Sequence, residues 1–345
     1  MQTPFSPKRR TTVALLAGLG TGLAVPAAAQ ELTRIKFTMD WRIEGPSVFF
    51  LLPLYKGYFK DEGLDVTMDI GTGSAVAVQR IASGAYDMGA GDMSALMEYT
   101  GNSGMQAAMQ AVYQIYETAP GAVFYWKKSG IKTPKDLIGK RLAASLFDAV
   151  YRAFPLIESA NSLPPGAVKW AIGDPQLKEQ LMARGEADGL TAFFATGLLN
   201  LNSRGVKTED IGWFKFEDLG IRNLYGNCVM ASTKLINENP KAVAAFVRAF
   251  NRGFKEVVAN PENAMQYAKR RDPLIDEKIE VQRLKLALQD IVTDNAKADG
   301  FGSIRKSKLE SQVDAVSVAY KLKTKPSPDG LFNSSFLPAA RERRL

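Results

Sequence analysis

The chain has 345 residues, of which 46% are hydrophobic and 23% are charged, a composition typical of a soluble globular protein with about two domains. It contains no histidine and a single cysteine, Cys228. The absence of histidine excludes Ser-His-Asp and Cys-His catalysis and histidine-ligated zinc, and a lone cysteine excludes an intrachain disulfide or a cysteine-rich metal site. We therefore expect a binding protein, or an enzyme that works with carboxylates, lysine, tyrosine or serine alone.

Residues 1–29 have the pattern of a secretory signal peptide. Basic residues at 8–10 precede an apolar run at 13–25, and three alanines follow at 27–29, which matches the charged, apolar and small-residue regions of such a leader. The run is shorter than the ~20 apolar residues of a spanning helix; an N-terminal anchor is the alternative. We expect export to the periplasm by the Sec or the twin-arginine route. Cleavage after Ala29 would remove three positive charges and lower the formal net charge from +8 to +5.

Much of the remaining positive charge lies in short groups, such as residues 305–308 and 341–344. No basic block interleaved with aromatic residues lies along one helix, so we expect no nucleic-acid partner. The mature chain is expected to be a monomer.

Strands and helices alternate along most of the mature chain. The first unit has predicted strands at 34–39, 64–70 and 86–91 and helices at 47–59 and 75–83. The second has strands at 122–127, 141–144, 168–172 and 189–194 and helices at 149–159 and 175–184. This alternation predicts α/β units with mostly parallel sheets flanked by helices. A strand at 224–232 and three late helices follow, and we place those helices mainly against the first unit.

Four passages resemble one family of bacterial proteins. They are Met39-Asp40-Trp41, the segment Lys56-Gly57-Tyr58-Phe59-Lys60-Asp61-Glu62-Gly63-Leu64-Asp65-Val66, and the "small residue, Gly, Asp, small residue" passages at 82–89 and 181–189. Together they resemble the solute-binding proteins of ABC importers, in the group with nitrate, sulfonate, taurine and thiamine-pyrimidine binders.

The resemblance implies a type II periplasmic-binding-protein fold, in which two α/β lobes joined by two crossover strands close on a ligand. The crossovers would lie near 119–127 and 224–232. Lobe I would then comprise residues 30–120 and 229–345, and lobe II residues 121–228.

Candidate ligand-binding residues lie mainly where strands lead into helices, because open α/β sheets bind ligands beyond the carboxyl ends of their strands. They are Asp40, Trp41, Ser47, Thr72, Ser74, Asp92 and Ser94 in the first lobe, and Ser145, Asp148, Arg152, Phe194 and Asn227 in the second; Arg42, Phe193 and Tyr225 are further possibilities.

Several of these residues also have purely structural interpretations. The Gly-rich loop at 71–74 lacks the Gly-Lys-Ser/Thr ending of a phosphate loop, and its hydroxyls could bind an anionic or carbonyl group or simply cap a helix. Arg152 follows Asp148 by four residues, so it could form a surface ion pair or a bidentate contact with an acidic ligand. Of Phe193 and Phe194, at least one should belong to the core, because neighbouring strand residues face opposite sides.

The leading hypothesis is a non-catalytic, extracytoplasmic solute-binding protein that delivers a small polar compound to an ABC permease. The compound would be carboxylated, sulfonated or heteroaromatic, and no cofactor or metal is expected. One alternative is an enzyme like the related pyrimidine-precursor synthases, whose chemistry needs a histidine and a cysteine-rich iron motif that this chain lacks. The other is a ligand-sensing regulatory module. Because no unperturbed side chain titrates between about pH 6 and 8, we expect a ligand affinity nearly independent of pH there.

Overall fold

The computed structural model describes residues 1–2, 31–103, 108–175 and 177–345. The predicted signal peptide falls almost entirely outside these ranges. From Leu32 to Leu345 the chain forms one compact unit. Within the described ranges, no helix combines the length and the apolar character needed to cross a membrane.

The first sheet, sheet A, has the strand order β2-β1-β3-β10-β4. Its strands are β1 (Thr33–Thr38), β2 (Leu64–Asp69), β3 (Met88–Asp92), β4 (Met109–Gln114) and β10 (Asn227–Ser232). Strand β1 pairs in parallel with β2 and β3, whereas β10 runs antiparallel between β3 and β4. Edge strand β2 alternates buried Leu64, Val66 and Met68 with exposed residues, as expected for a strand with one face on the core.

The second sheet, sheet B, has the order β7-β6-β8-β5-β9. Its strands are β5 (Gly121–Trp126), β6 (Arg141–Ala144), β7 (Lys169–Ile172), β8 (Gly189–Phe193) and β9 (Ile211–Lys215). Strand β6 pairs in parallel with β7 and β8, and β5 runs antiparallel between β8 and β9. The predicted α/β class, with two mostly parallel sheets, is confirmed.

The chain passes from sheet A to sheet B through residues 115–120 and returns through residues 216–226. In each case the strand that follows the crossing, β5 or β10, is the antiparallel strand of its sheet. The predicted lobe boundary after residue 228 falls inside β10, because Asn227 and Cys228 already pair with β3 of sheet A.

Helices flank both sheets. They are α1 (Val48–Tyr55), α2 (Tyr58–Asp61), α3 (Ser74–Ala82), α4 (Met93–Ser103), α5 (Ala149–Arg152), α6 (Phe154–Ala160), α7 (Lys178–Ala183), α8 (Phe194–Ser203), α9 (Thr233–Glu238), α10 (Pro240–Ala259), α11 (Pro261–Arg271), α12 (Glu277–Ile291), α13 (Asp294–Asp299), α14 (Lys306–Ala319) and α15 (Pro328–Leu331). The single helix predicted at 47–59 is interrupted, since Gly57 adopts a left-handed conformation with φ of 79°. We refer to sheet A with α1–α4 and α9–α11 as lobe I, and to sheet B with α5–α8 as lobe II.

The late helices cover lobe I, and two of them also contact lobe II. Helix α10 buries Phe246 against the rings of Phe37 and Phe59, with centroid separations of 5.3 and 4.7 Å. Helix α12 hydrogen-bonds to α8, and α14 shares a buried apolar cluster with α6. The late helices were predicted to pack mainly on the first lobe. In the structure α12 and α14 also connect it to the second lobe.

Candidate functional site

A cleft between the lobes encloses about 800 Å³ of space between atoms, including its open mouth. Its wall is built from the loop after β1, the start of α3, the first crossover, the N-terminal ends of α5 and α8, and residues at the starts of α7 and β10. The lining residues used below are Asp40, Trp41, Arg42, Glu44, Ser47, Phe49, Ser74, Tyr116, Asp148, Lys178, Phe193, Thr196 and Asn227.

Asp40 and Asn227 form a polar pair on the lobe I side. Asn227 Nδ2 donates a hydrogen bond to Asp40 Oδ2 at 2.6 Å. Burial of the carboxylate raises the pKa of Asp40 to about 6, and the bond from Asn227 only partly opposes this effect. A ligand that donates hydrogen bonds to this carboxylate would stabilise its ionised form.

Two buried polar atoms at the cleft lack a hydrogen-bond partner in the part of the chain that the structure describes. Among the described residues, neither Trp41 Nε1 nor Asn227 Oδ1 makes a hydrogen bond. A buried donor or acceptor left unsatisfied costs about 1–3 kcal/mol, so such groups in a cleft are suited to a ligand. The indole nitrogen can only donate, and the amide oxygen can only accept.

Aromatic side chains form the apolar part of the wall. The rings of Tyr116 and Phe193 lie 6.0 Å apart at 51°, and Phe49 also lines the cleft. Burial raises the pKa of Tyr116 far above its ordinary value, so its hydroxyl stays neutral. Rings placed in this way can pack on a planar apolar or heteroaromatic ligand.

Lobe II contributes a buried ion pair. Asp148 caps α5 by accepting from Val150 N and Tyr151 N, and it also pairs with Lys178, whose side chain is 1% exposed. Burial alone would lower the pKa of Lys178, but the charges of Asp148 and Glu179 raise it above its ordinary value. Lys178 is therefore a cation, and its Nζ lies 5.5 Å from the centre of the Trp41 ring.

A second ion pair lies on lobe I. Arg42 Nε donates to Glu44 Oε1 at 2.8 Å. Burial would raise the pKa of Glu44, yet the charges of Arg283 and Arg42 hold it below its ordinary value. Both cations of the lining are thus paired with carboxylates, while Asp40 has no salt-bridge partner within the described ranges.

The structure brings six of the twelve predicted site residues to the cleft: Asp40, Trp41, Ser47, Ser74, Asp148 and Asn227. Thr72 lies on an adjacent shallow groove that shares Trp41 and Arg42 with the cleft. The remaining five, Asp92, Ser94, Ser145, Arg152 and Phe194, do not line it.

Those five residues have structural contacts instead. Asp92 accepts a hydrogen bond from Ser94 N at 2.8 Å, and the hydroxyl of Ser94 accepts one from Gln312. Ser145 is buried, and its carbonyl accepts from Asp148 N at 3.1 Å. Arg152 forms an ion pair, as one of its two interpretations expected, but its partner is Glu98 of lobe I rather than Asp148, and Arg152 does not line the cleft.

Phe194 was predicted to line the cleft, but its neighbour Phe193 lies there instead. Strand β8 ends at Phe193 and α8 begins at Phe194. Phe194 turns into the lobe II core against Phe124 and Trp213, and Phe193 lines the cleft.

Four lining residues were not predicted from the sequence: Lys178, Glu44, Thr196 and Tyr116. Glu44 and Tyr116 follow the ends of β1 and β4, positions that the carboxyl-end rule covers, although β4 itself was not predicted. A lysine in the first turn of a short helix carries no comparable signal, because most lysines lie at the surface.

A family model described as NMT1/THI5 like matches residues 47–264, more than half of the chain. The chain belongs to the NMT1/THI5-like family. A formylaminopyrimidine-binding protein from Halalkalibacterium halodurans is 22% identical over 302 residues, which cover 83% of this chain and 86% of that protein.

Two further relatives differ in what their names describe. A 4-amino-5-hydroxymethyl-2-methylpyrimidine phosphate synthase from Candida albicans is 23% identical over 67% of this chain and 69% of its own length. The alkanesulfonate-binding protein SsuA from Xanthomonas axonopodis pv. citri, solved with bound MOPS, has a TM-score of 0.67 at 13% identity over 87% of this chain and 96% of its own. The likeness to SsuA shows that this NMT1/THI5-like chain has the periplasmic-binding-protein fold.

Proposed function

We propose that this protein is a non-catalytic solute-binding protein that captures a small amino-substituted heteroaromatic compound, such as an aminopyrimidine, between its lobes. The observation that carries the proposal is the pair of unpartnered buried atoms, Trp41 Nε1 and Asn227 Oδ1, beside the carboxylate of Asp40. An aminopyrimidine offers ring nitrogens that accept from the indole and an amino group that donates to the amide oxygen and the carboxylate. Its flat ring suits the wall formed by Tyr116 and Phe193.

The charges in the cleft favour this class over the sulfonate and nitrate classes. A strong anion needs a cation that is free to pair with it, whereas Arg42 and Lys178 already pair with Glu44 and Asp148. The name of the Halalkalibacterium relative agrees with a pyrimidine ligand.

We further propose that the protein acts outside the cytoplasm and delivers its ligand to an ABC permease. The periplasmic-binding-protein fold supports this role, as does the signal-peptide pattern of the N-terminal sequence. Two lobes in contact around a ligand would give a permease a single shape to recognise.

Calorimetric titration tests the ligand class. We expect saturable binding of 4-amino-5-hydroxymethyl-2-methylpyrimidine and much weaker binding of MOPS and nitrate. Trp41→Phe keeps an aromatic ring but removes the indole donor, so the affinity should fall about tenfold. Trp170→Phe is the matched control, because Trp170 packs on Tyr151 and Phe154 away from the cleft. Tight MOPS binding without pyrimidine binding would contradict the proposed class.

The name of the Candida relative suggests a second candidate, a pyrimidine synthase. Mass spectrometry after incubation with pyridoxal phosphate and iron tests it. We expect no pyrimidine product, because the chain lacks histidine and its one cysteine is buried. A pyrimidine product that depends on the protein would support the synthase instead.

A further inference from the structure

A buried polar network joins the lobes beside the ligand cleft. Glu44, which is only 5% exposed, lies at its centre. Its Oε1 accepts from Arg42, and its Oε2 accepts from the hydroxyl of Thr196, on α8 of lobe II, at 2.8 Å. Arg283 Nε lies 3.7 Å from the same Oε2. One carboxylate thus connects the loop after β1 to the other lobe.

Arg283 extends the network along α8. Helix α12 is anchored in the lobe I core by Leu284, Ala287 and Ile291, yet the Arg283 guanidinium reaches lobe II. Its Nη1 donates to the carbonyls of Ala195 and Thr196 at 3.3 and 3.2 Å. Its Nη2 donates to Asn200 Oδ1 at 3.0 Å, so Arg283 makes three bonds to the first two turns of α8.

The ion pairs of this network lie on the lobe I side. Arg283 Nε donates to Glu280 Oε2 at 2.8 Å, and Glu280 also accepts from Gly45 N at 2.6 Å. Two carboxylates, Glu44 and Glu280, thereby balance Arg42 and Arg283. Separation of the lobes would break the bonds to α8 but would leave no charge without its counter-ion. The lobes can therefore separate and rejoin at this contact without the large free-energy cost of leaving a buried charge unpaired.

We propose that Glu44 and Arg283 of the lobe I side, with Ala195, Thr196 and Asn200 of α8, form a latch that holds the lobes closed even without ligand. Its bonds to charged groups are shielded from water, which strengthens them. Glu44 and Thr196 also line the cleft. The latch therefore sets how fast a captured solute leaves, a consequence that rests on the proposed function.

Distances between spin labels on the two lobes test the latch in the unliganded protein. Asp65→Cys on β2 and Lys169→Cys on β7 place the labels on exposed positions of the edge strand of each sheet. The native Cys228 is fully buried, so it should not be labelled. We expect one main distance, that of the closed form, in the otherwise unchanged chain.

Two variants should weaken the latch. Thr196→Val keeps the side-chain shape but leaves Glu44 Oε2 without its hydroxyl donor, and the closed-to-open ratio should fall about tenfold. Arg283→Lys keeps the charge but loses the planar fork that reaches three acceptors, and it should shift the distances in the same direction. Thr100→Val is the matched control, because the Thr100 hydroxyl has no hydrogen-bond partner among the described residues.

Thermal unfolding of the same proteins separates the latch from a purely structural role. If Thr196→Val and Arg283→Lys lowered the midpoint but left the distance distribution unchanged, the latch would be overturned. A fully open unliganded protein would overturn it as well. Because these measurements need no ligand, they stand apart from the calorimetric titration, whose failure would contradict only the proposed function. With the pyrimidine bound, dissociation from Thr196→Val should be about tenfold faster.

Discussion

Asp40 combines a carboxylate with surroundings that disfavour its charge, and this sets how the site responds to pH. Burial raises its pKa to about 6, and the negative charges of Glu44 and Asp148 act in the same direction. A ligand that donates to the carboxylate needs it ionised. Affinity should therefore be full well above pH 6 and should be lost as the pH falls through that value.

We expect the affinity for 4-amino-5-hydroxymethyl-2-methylpyrimidine to fall about tenfold from pH 7.5 to pH 5, because only about a tenth of a group with a pKa near 6 is ionised at pH 5. Calorimetry across this range measures the effect. Asp40→Asn should bind the pyrimidine more weakly at pH 7.5. Its affinity should no longer fall through protonation of residue 40, so that only the titration of the ligand itself contributes to the pH dependence.

Asp92→Asn serves as the comparison for that titration, since the pKa of Asp92 is also raised to about 6 by burial, yet Asp92 lies outside the cleft. It should retain most of the pH dependence. An unchanged profile in Asp40→Asn would contradict the role given to Asp40. The absence of histidine led us to expect a nearly flat profile between about pH 6 and 8. The raised pKa of Asp40 replaces that expectation below about pH 7, and above that value the flat profile stays a prediction.

At the scale of single elements, the loop before α3 on lobe I touches the loop after β6 on lobe II. Gly73 has a φ of 144°, a backbone conformation that residues other than glycine rarely adopt. A Cβ atom at this position would overlap the carbonyl oxygen of Phe147 on the other lobe. The absence of a side chain at Gly73 lets the two loops touch.

Gly73→Ala should therefore obstruct closure and weaken pyrimidine binding at least tenfold, as measured by calorimetry. Gly84→Ala is the matched control, because Gly84 also has a positive φ, of 76°, but an added Cβ would meet nothing within 4 Å. Both variants should lose roughly 1 kcal/mol of stability to backbone strain. Equal affinities in the two variants would show that the contact at Gly73 does not matter for closure.

The same elements show what could be predicted from the sequence and what could not. Strand β6 was predicted with its observed bounds, and Asp40, Trp41 and Ser74 follow from the rule that ligands bind at the carboxyl ends of strands. Strands β4 and β9 were missed, and β4 leads into the crossover that carries Tyr116. The partner of Arg152 depends on how the lobes meet. The partner of Lys178 depends on how α7 packs against the loop after β6 within lobe II, and local spacing contains neither piece of information.

At the scale of the whole molecule, the lobes share more than a cleft. One buried apolar cluster includes Leu96 of α4 and Leu309 and Val313 of α14, together with Phe154 and Ile157 of α6. Two crossings of the chain add covalent connections. Unfolding of either lobe would expose part of the core of the other, which favours a single cooperative transition.

We therefore expect one calorimetric unfolding transition, with equal calorimetric and van't Hoff enthalpies. Phe154→Ala on lobe II and Leu309→Ala on α14 should each lower that transition, at a cost of about 3–5 and 2–5 kcal/mol respectively. Neither should split it, since both side chains belong to the shared cluster and are at most 3% exposed. Two resolved transitions, with Phe154→Ala lowering only one of them, would show that the lobes fold independently and that the shared cluster does not couple them.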